Sequence, residues 1–321
     1  MCPGTLAAGY STYSRTCLVR VFHGKKVHHI LPFESPASGD EAFDLFLENR
    51  KHISISGVQV KFSLLLDRNK LRLTLEGERG TYILKPISSQ VKQADQMPAN
   101  EHLTMQIARQ VYDLETAENA LVFFKDGQPA YITKRFDVHP DGLKKATLDF
   151  ASIDGRTPYT HGKDYKYAGN FLELFHLMKK YLPSYTVEAP KLFQLLLFNY
   201  LFSNGDAHVK NFSLLEAGLG DFKLSPAYDL LNSHIHINDK DFALEDGLLP
   251  PALAKGKVME QFRILGNQAG IHPKIAEDCI QKMLSNEEKV STLIDSSFLS
   301  AATKRTYFQG YQTRLNKLSL R

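Results

Sequence analysis

The sequence predicts an α+β fold in which a sheet-forming part precedes a helical part. Between residues 62 and 133, several short segments are rich in strand-forming apolar residues, and one alternates with period two. After roughly Thr147, apolar residues recur at helical spacing through most of the chain. Strands first and helices afterwards favour segregated layers over alternating βαβ units. We place the boundary after residue 133, with a sheet lobe over 1–133 and a helical lobe over 134–321.

The composition excludes several classes of protein. The 321 residues are 43% hydrophobic and 23% charged, as in ordinary globular proteins, and the net charge of +4 permits an anionic partner without requiring nucleic acid. We find no apolar run of membrane-spanning length and no signal peptide. Three cysteines are too few for a disulfide framework, so we expect a cytoplasmic protein.

Five strands are expected in the first part of the chain. They cover residues 62–66, 71–75, 81–86, 120–124 and 130–133, with hairpin turns after the first and the fourth. Lys85 falls at the end of the third strand, where kinases place the lysine that pairs with nucleotide phosphates. The ordinary alternative is a strand-end charge. Residues 134–137 lead away from the sheet as a hinge, whose exposed backbone amides could bond adenine.

Helices are expected over residues 40–51, 100–114, 170–182, 191–202, 250–265, 272–286 and 299–318, and residues 1–33 are expected to be irregular. Glu101 falls in the first turn of the second helix. Its carboxylate is either a favourable charge at the helix N-terminus or the partner of Lys85, and we favour the helix-terminus interpretation.

The most informative stretch is residues 203–213, which follows a long apolar helix. Asp206 and Asn211 have the D-x-x-x-x-N spacing of a kinase catalytic loop, and Asp229 follows downstream. Phosphoryl transfer uses one carboxylate to accept the proton of a hydroxyl, and an amide oxygen with a second carboxylate to hold Mg²⁺. The spacing alone is a weak signal, since Asn-Gly-Asp turns are common after helices.

Taken together, five segments give the chain a family resemblance. They are residues 56–61, 82–86, 133–137, 204–213 and 225–229. In this order they resemble the HipA-like serine/threonine kinases, toxin components of bacterial toxin–antitoxin systems, and most of all the short HipT type. The resemblance implies a bilobal protein-kinase-like fold with an antiparallel-sheet N-lobe, a helical C-lobe, and ATP and Mg²⁺ as cofactors.

The resemblance also implies a role for particular residues. Asp206 matches the catalytic base, and Asn211 and Asp229 match the Mg²⁺ ligands. The positions that match nucleotide contacts are Lys85 for the phosphates, Lys134 and Phe136 for adenine through their backbone, and His208. The loop that covers the phosphates is matched by Ser56, Gly57, Val58, Gln59, Val60 and Lys61. Ser54 matches the autophosphorylated serine, and Ser56 is a second candidate for that modification.

Partners follow from the resemblance as well. Family members phosphorylate aminoacyl-tRNA synthetases and are neutralised by a DNA-binding HipB antitoxin, so DNA would be reached only through the antitoxin. The additional N-terminal subdomain of full-length HipA has no counterpart here, and the short type uses a small HipS protein in its place. The phosphate loop has a single glycine, unlike G-x-G-x-x-G. Cys2 and Cys17 resemble a remnant of a cysteine motif, and we predict no zinc.

Two further interpretations stay open. A small-molecule or lipid kinase would carry a similar loop around Asp206. A catalytically silent kinase fold could act as a corepressor with its antitoxin, although Lys85, Asn211 and Asp229 would then have no reason to occur together with Asp206.

Overall fold

The computed structural model describes residues 1–36, 60–87, 91–139, 142–218 and 220–319. The chain forms two compact units, each built from several segments. Unit 1 comprises Met1–Gln106, Ala117–Lys144 and Thr292–Lys304, and unit 2 comprises Ile107–Thr116, Lys145–Ser291 and Arg305–Arg321. The boundary expected after residue 133 stays a prediction. Within the described ranges, no helix combines the length and the apolar character that crossing a bilayer requires.

Unit 1 contains a five-stranded antiparallel sheet with the order β2-β1-β3-β5-β4. Its strands are β1 (Phe62–Asp67), β2 (Lys70–Leu73), β3 (Tyr82–Pro86), β4 (Asn119–Phe123) and β5 (Pro129–Lys134). The β1–β2 hairpin closes where Asp67 pairs with Lys70, and β3 lies between β1 and β5. All five expected strands are confirmed, with small shifts at their ends.

A helix near the N-terminus packs on this sheet, so the expectation of irregular structure over residues 1–33 was wrong. Helix α1 (Arg15–Phe22) begins after Ser14, whose Oγ accepts the N–H of Cys17, and it ends at left-handed His23. Phe22 is buried and stacks on Tyr82 of β3, with ring centroids 5.9 Å apart. A two-turn helix offers too few residues for a clear apolar period, and it forms because tertiary burial stabilises it.

Helix α2 (Met97–Gln110) begins earlier than expected, and the boundary between the units falls within it. Its unit 1 segment is buried along its length, and Gln106 Nε2 donates to Asn119 Oδ1 of β4 over 2.9 Å. Buried amides are rarely left unpaired, so this bond fixes the helix against the edge of the sheet.

The remaining helices are α3 (Phe150–Ile153), α4 (Pro158–His161), α5 (Leu172–Tyr181), α6 (Tyr185–Leu201), α7 (Val258–Gln268), α8 (Pro273–Leu284), α9 (Glu287–Asp295) and α10 (Ala301–Ser319). Helix α9 was not expected as a separate element. The core of unit 2 surrounds α6, which buries most of its residues, as expected from its apolar sequence.

Two of the expected helices begin elsewhere. Helix α6 starts at Tyr185 and continues through Pro190. The sequence had predicted a start after this proline, at residue 191. An internal proline removes one backbone hydrogen bond, and burial of Ala189, Leu192 and Phe193 offsets this loss. The helix expected from residue 250 begins at Val258, because Gly256 has a φ of +75°, which a right-handed helix excludes. The helix expected over 40–51 lies outside the described residues.

Unit 2 also contains a second sheet that the helical pattern did not predict. Strands β6 (Thr147–Asp149), β7 (Ser213–Gly218) and β8 (Asp221–Leu224) form an antiparallel sheet in that order. The strands are short, and β6 is separated from its partner β7 by a long stretch of sequence. The α+β prediction is confirmed at the level of fold class, with the five-stranded sheet in unit 1 and most helices in unit 2.

Candidate functional site

The loop that carries Asp206 is shaped by the end of helix α6. After the last helical residues, Ser203 adopts a left-handed φ of 54° and turns the chain. Asn204 then bonds back to Asn199, with Nδ2 donating to Oδ1 over 2.8 Å. The N–H of Gly205 donates to Ser233 Oγ over 2.9 Å. A Cβ on Gly205 would lie 2.4 Å from the carbonyl oxygen of Lys240, so only glycine fits without a shift of backbone.

Asp206 lies partly buried in this loop. Its Oδ1 accepts a hydrogen bond of 2.7 Å from the hydroxyl of Tyr167. Burial raises the pKa of Asp206, and the nearby carboxylates of Asp239 and Asp229 raise it further, while Tyr167 and Lys166 act in the opposite direction. A carboxylate with a raised pKa is a better proton acceptor than an exposed aspartate, as a general base requires.

Asn211 and Asp229 are brought together across unit 2. Asn211 ends the short 3₁₀ turn Val209–Asn211, where its Oδ1 accepts the N–H of His208 over 3.2 Å. Its Nδ2 donates a hydrogen bond of 3.4 Å to Asp229 Oδ2. Asp229 has a left-handed φ of 55°, an unusual conformation that is concentrated at functional positions.

The oxygens of this pair fit a magnesium ion. An amide carbonyl and a carboxylate are hard oxygen donors, and Mg²⁺ usually takes only one or two protein carboxylates, with water and phosphate completing its shell. A carbonyl oxygen has two lone pairs, so Asn211 Oδ1 can accept the His208 N–H and still bind a cation. Among the described residues, no group of three or more His, Cys, Asp or Glu is arranged to hold a metal.

His208 lies beside Asp206 and is buried. Its ring meets that of Tyr167 edge-on, with centroids 5.3 Å apart. Burial and the charge of Lys166 lower the pKa of His208 to about 4, so the ring is neutral at physiological pH. In the part of the chain that the structure describes, its Nδ1 has no hydrogen-bond partner.

Unit 1 holds a buried ion pair between Lys85 of β3 and Glu101 of α2. Lys85 Nζ and Glu101 Oε1 are 2.5 Å apart, and both side chains are almost fully buried. Lys85 also lies 5.4 Å from the ring centroid of Tyr131. The favoured interpretation of Glu101 as a first-turn charge was therefore wrong. Because α2 begins at Met97, Glu101 lies beyond the first turn, and its carboxylate contacts Lys85 instead.

The expected hinge positions have defined backbone contacts. Lys134 ends β5 and its N–H donates to the carbonyl of Glu118 over 2.7 Å. This N–H is therefore already hydrogen-bonded within unit 1. The N–H of Arg135 donates to Thr81. The role of the Lys134 and Phe136 backbone in binding adenine stays a prediction.

Most of the expected phosphate-covering loop lies outside the described residues. This applies to Ser54, Ser56, Gly57, Val58 and Gln59. Val60 and Lys61 are described, and both are partly exposed just before β1.

Tyr167 is the site residue that sequence reasoning missed. It lies in the 3₁₀ turn Tyr165–Tyr167, and no spacing rule links it to Asp206, 39 positions later. A tyrosine between Lys166 and Ala168 carries no sequence signal of a contact with a distant loop. The contact depends on how residues 155–169 fold over the loop, which local pattern does not encode.

Cys2 and Cys17 lie side by side in unit 1, and both are buried. The Sγ of Cys2 accepts the N–H of Ser14 over 3.1 Å. Hydrogen bonds from Cys17 and Ser14 lower the pKa of Cys2 to about 4, whereas the pKa of Cys17 is raised. The expectation that this pair binds no zinc stays a prediction.

Comparison with known proteins supplies the family. The model of the HipA-like C-terminal domain matches residues 53–290, which is most of the chain. The chain belongs to the HipA-like family. The resemblance drawn from the catalytic-loop and lysine segments is thus confirmed at the level of the family.

Two relatives extend this result. The chain is 25% identical to a Haemophilus influenzae protein named "Putative kinase", over 89% of this chain and 88% of the relative. It is 32% identical to "Putative kinase Y4dM" of Sinorhizobium fredii over 65% of this chain, a match that spans only 52% of that relative.

Solved structures share the fold of this HipA-like chain. A Shewanella oneidensis structure of a toxin–antitoxin system, containing HipA, HipB and operator DNA, matches with a TM-score of 0.63 at 20% identity, over 83% of this chain and 64% of that one. The Helicobacter pylori proinflammatory kinase CtkA matches with a TM-score of 0.51 at 16% identity, over 78% and 91%. The kinase-like α+β fold is therefore confirmed.

Proposed function

We propose that this HipA-like chain is an ATP-dependent serine/threonine protein kinase that acts as the toxin of a toxin–antitoxin system. The observation that carries the proposal lies in unit 2, where Asn211 Nδ2 donates to Asp229 Oδ2 over 3.4 Å, and Asn211 lies in the same loop as the partly buried Asp206. Kinases require this combination of a base and two metal-binding oxygens, and a binding protein does not.

In the proposed mechanism, Asp206 accepts the proton of the protein substrate's hydroxyl as that oxygen attacks the γ-phosphate of ATP. Asn211 and Asp229 would hold Mg²⁺, which would supply positive charge to neutralise the phosphates. Lys85 contributes a cation for the nucleotide phosphates, and Glu101 holds its ammonium in place. The neutral ring of His208 and the backbone at Lys134 and Phe136 are assigned to nucleotide binding, as the family resemblance implies.

The substrate and the partners are proposed from the family resemblance, with one solved structure in support of the antitoxin. We assign an aminoacyl-tRNA synthetase as substrate and a HipB-like antitoxin as partner, supported by the HipB present in the Shewanella structure. A HipS-like small protein is proposed from the family resemblance alone. DNA would be contacted only through the antitoxin.

Incubation of the purified chain with labelled ATP, Mg²⁺ and a bacterial extract tests the proposal. Label on a protein of synthetase size, lost in the Asp206→Asn variant, is the expected result. Label on a lipid or metabolite would instead support a small-molecule or lipid kinase. No transfer to any acceptor would support a catalytically silent corepressor.

A further inference from the structure

The hydroxyl of Tyr167 is placed on one oxygen of the proposed base. Oη donates to Asp206 Oδ1 over 2.7 Å, and among the described residues Oδ2 receives no hydrogen bond. We propose that Tyr167 is a positioning residue for phosphoryl transfer, which fixes the carboxylate of Asp206 so that Oδ2 faces the acceptor hydroxyl. This inference rests on the proposed function, because it gives Tyr167 a role only through Asp206.

The ring of Tyr167 is itself held in place. Its face lies under Lys166, with Nζ 4.8 Å from the ring centroid, and its edge meets His208. The backbone is fixed by the N–H of Glu245, which donates to the carbonyl of Tyr167 over 2.9 Å. A donor that is fixed before the substrate arrives does not need to be ordered during the reaction, and this is what preorganisation of a catalytic group requires.

A phenol suits this position better than a cation does. The charges that act on Asp206 already include the ammonium of Lys166 and the carboxylates of Asp239 and Asp229. A second cation on Oδ1 would make the carboxylate a weaker proton acceptor, whereas a neutral hydroxyl orients it at a smaller loss of basicity. Burial and the neighbouring carboxylate raise the pKa of Tyr167, so the hydroxyl keeps its proton at all working pH values.

The test compares Tyr167→Phe with Tyr165→Phe in the full-length chain. Both changes remove one hydroxyl from the same 3₁₀ turn, but the hydroxyl of Tyr165 contacts Lys210 Nζ at 3.5 Å and not Asp206. Initial rates of phosphate transfer from ATP to the labelled protein acceptor give kcat and KM for ATP. We expect kcat to fall about tenfold to a hundredfold in Tyr167→Phe, with KM for ATP unchanged, since misplacing a catalytic group costs rate. Tyr165→Phe should keep both values.

Further measurements separate positioning from folding. Incorporation of 3-fluorotyrosine at position 167 retains the hydroxyl, and it should restore kcat to near the original value. A kcat unchanged in Tyr167→Phe, while Asp206→Asn is inactive, overturns this inference and leaves the proposed function intact. A kcat that rises in Tyr167→Phe also overturns it, because the hydroxyl would then be blocking the acceptor. An original chain that transfers no phosphate overturns both proposals.

Discussion

Lys85 Nζ and Glu101 Oε1 form a buried ion pair of 2.5 Å in which each side chain is at most 4% exposed. Removal of two charges from water costs free energy that their attraction must offset, and loss of one partner leaves the other charge buried and unpaired. The pair therefore contributes to the stability of unit 1. In the proposed mechanism, its carboxylate also holds the ammonium of Lys85 in position.

The first prediction concerns this pair. Glu101→Leu should lower the free energy of unfolding by about 3–5 kcal/mol, because the buried ammonium of Lys85 loses its carboxylate partner. The double variant Lys85→Met with Glu101→Leu should recover most of that loss and still transfer no phosphate. Denaturant unfolding and a transfer assay on the three chains provide the measurement. Equal stability of the single and double variants would contradict the coupling.

The second prediction separates the base from the metal ligand. Asp206→Asn should abolish transfer while ATP affinity stays nearly unchanged, because a base acts mainly in the transition state. Asp229→Asn should weaken the binding of Mg²⁺–ATP. Calorimetric titration with ATP, with and without Mg²⁺, distinguishes the two. Persistent transfer in the first variant removes Asp206 from the mechanism, and unchanged Mg²⁺-dependent affinity in the second removes the metal assignment.

The third prediction is the pH dependence of transfer. The pKa of Asp206 is raised by burial, and only the ionised form can accept a proton, so activity should be full above this pKa and fall as the pH drops through it. The acid limb of kcat should therefore lie above the usual aspartate value of about 4. A profile that stays flat down to pH 4 would exclude a buried carboxylate base.

The fourth prediction tests the shape of the loop. Gly205→Ala places a Cβ 2.4 Å from the carbonyl oxygen of Lys240, so the loop must move, and both transfer and thermal stability should fall. Gly310→Ala is the matched control, because the nearest atom would be 3.7 Å away and position 310 lies within helix α10. It should be neutral or stabilise by about 0.5–1 kcal/mol. A Gly205→Ala chain as stable and active as the control would refute the close approach.

The fifth prediction concerns Ser54 and Ser56, which lie outside the described residues. If the loop before Gly57 covers ATP, a phosphate of about −1.5 to −2 charges on either serine should repel the triphosphate. Intact-mass spectrometry after Mg²⁺–ATP treatment should show added phosphate in the original chain and none in Asp206→Asn. ATP affinity should fall as the mass rises. A chain that phosphorylates a substrate but never gains mass on this loop would end the idea.

Local pattern and spacing were sufficient to predict several elements of the fold. The five strands around Lys85 were predictable because each is bounded by turn residues, and α6 because a long apolar run has to be buried. The loop that carries Asp206 and Asn211 was predictable from the spacing of these two residues.

What the sequence did not predict depends on distant contacts. Helix α1 is stabilised by the sheet it packs on, and β6 exists only where β7 lies beside it. The pairing of Glu101 with Lys85 was not favoured by the sequence, because α2 begins three residues before the predicted start and Glu101 lies beyond its first turn. Tyr167 approaches Asp206 through a turn whose path is set by tertiary contacts rather than by its own residues.

The segmental make-up of unit 1 bears on synthesis at the ribosome. Residues Thr292–Lys304 belong to the same unit as Lys85, where the N–H of Ser300 donates to Gln96 over 2.8 Å and the ring of Phe298 meets Phe123. A nascent chain still lacking those residues cannot complete the unit that carries Lys85. Unit 1 is thus completed only after residues 292–304 have emerged from the ribosome, about 200 residues after the strand that carries Lys85.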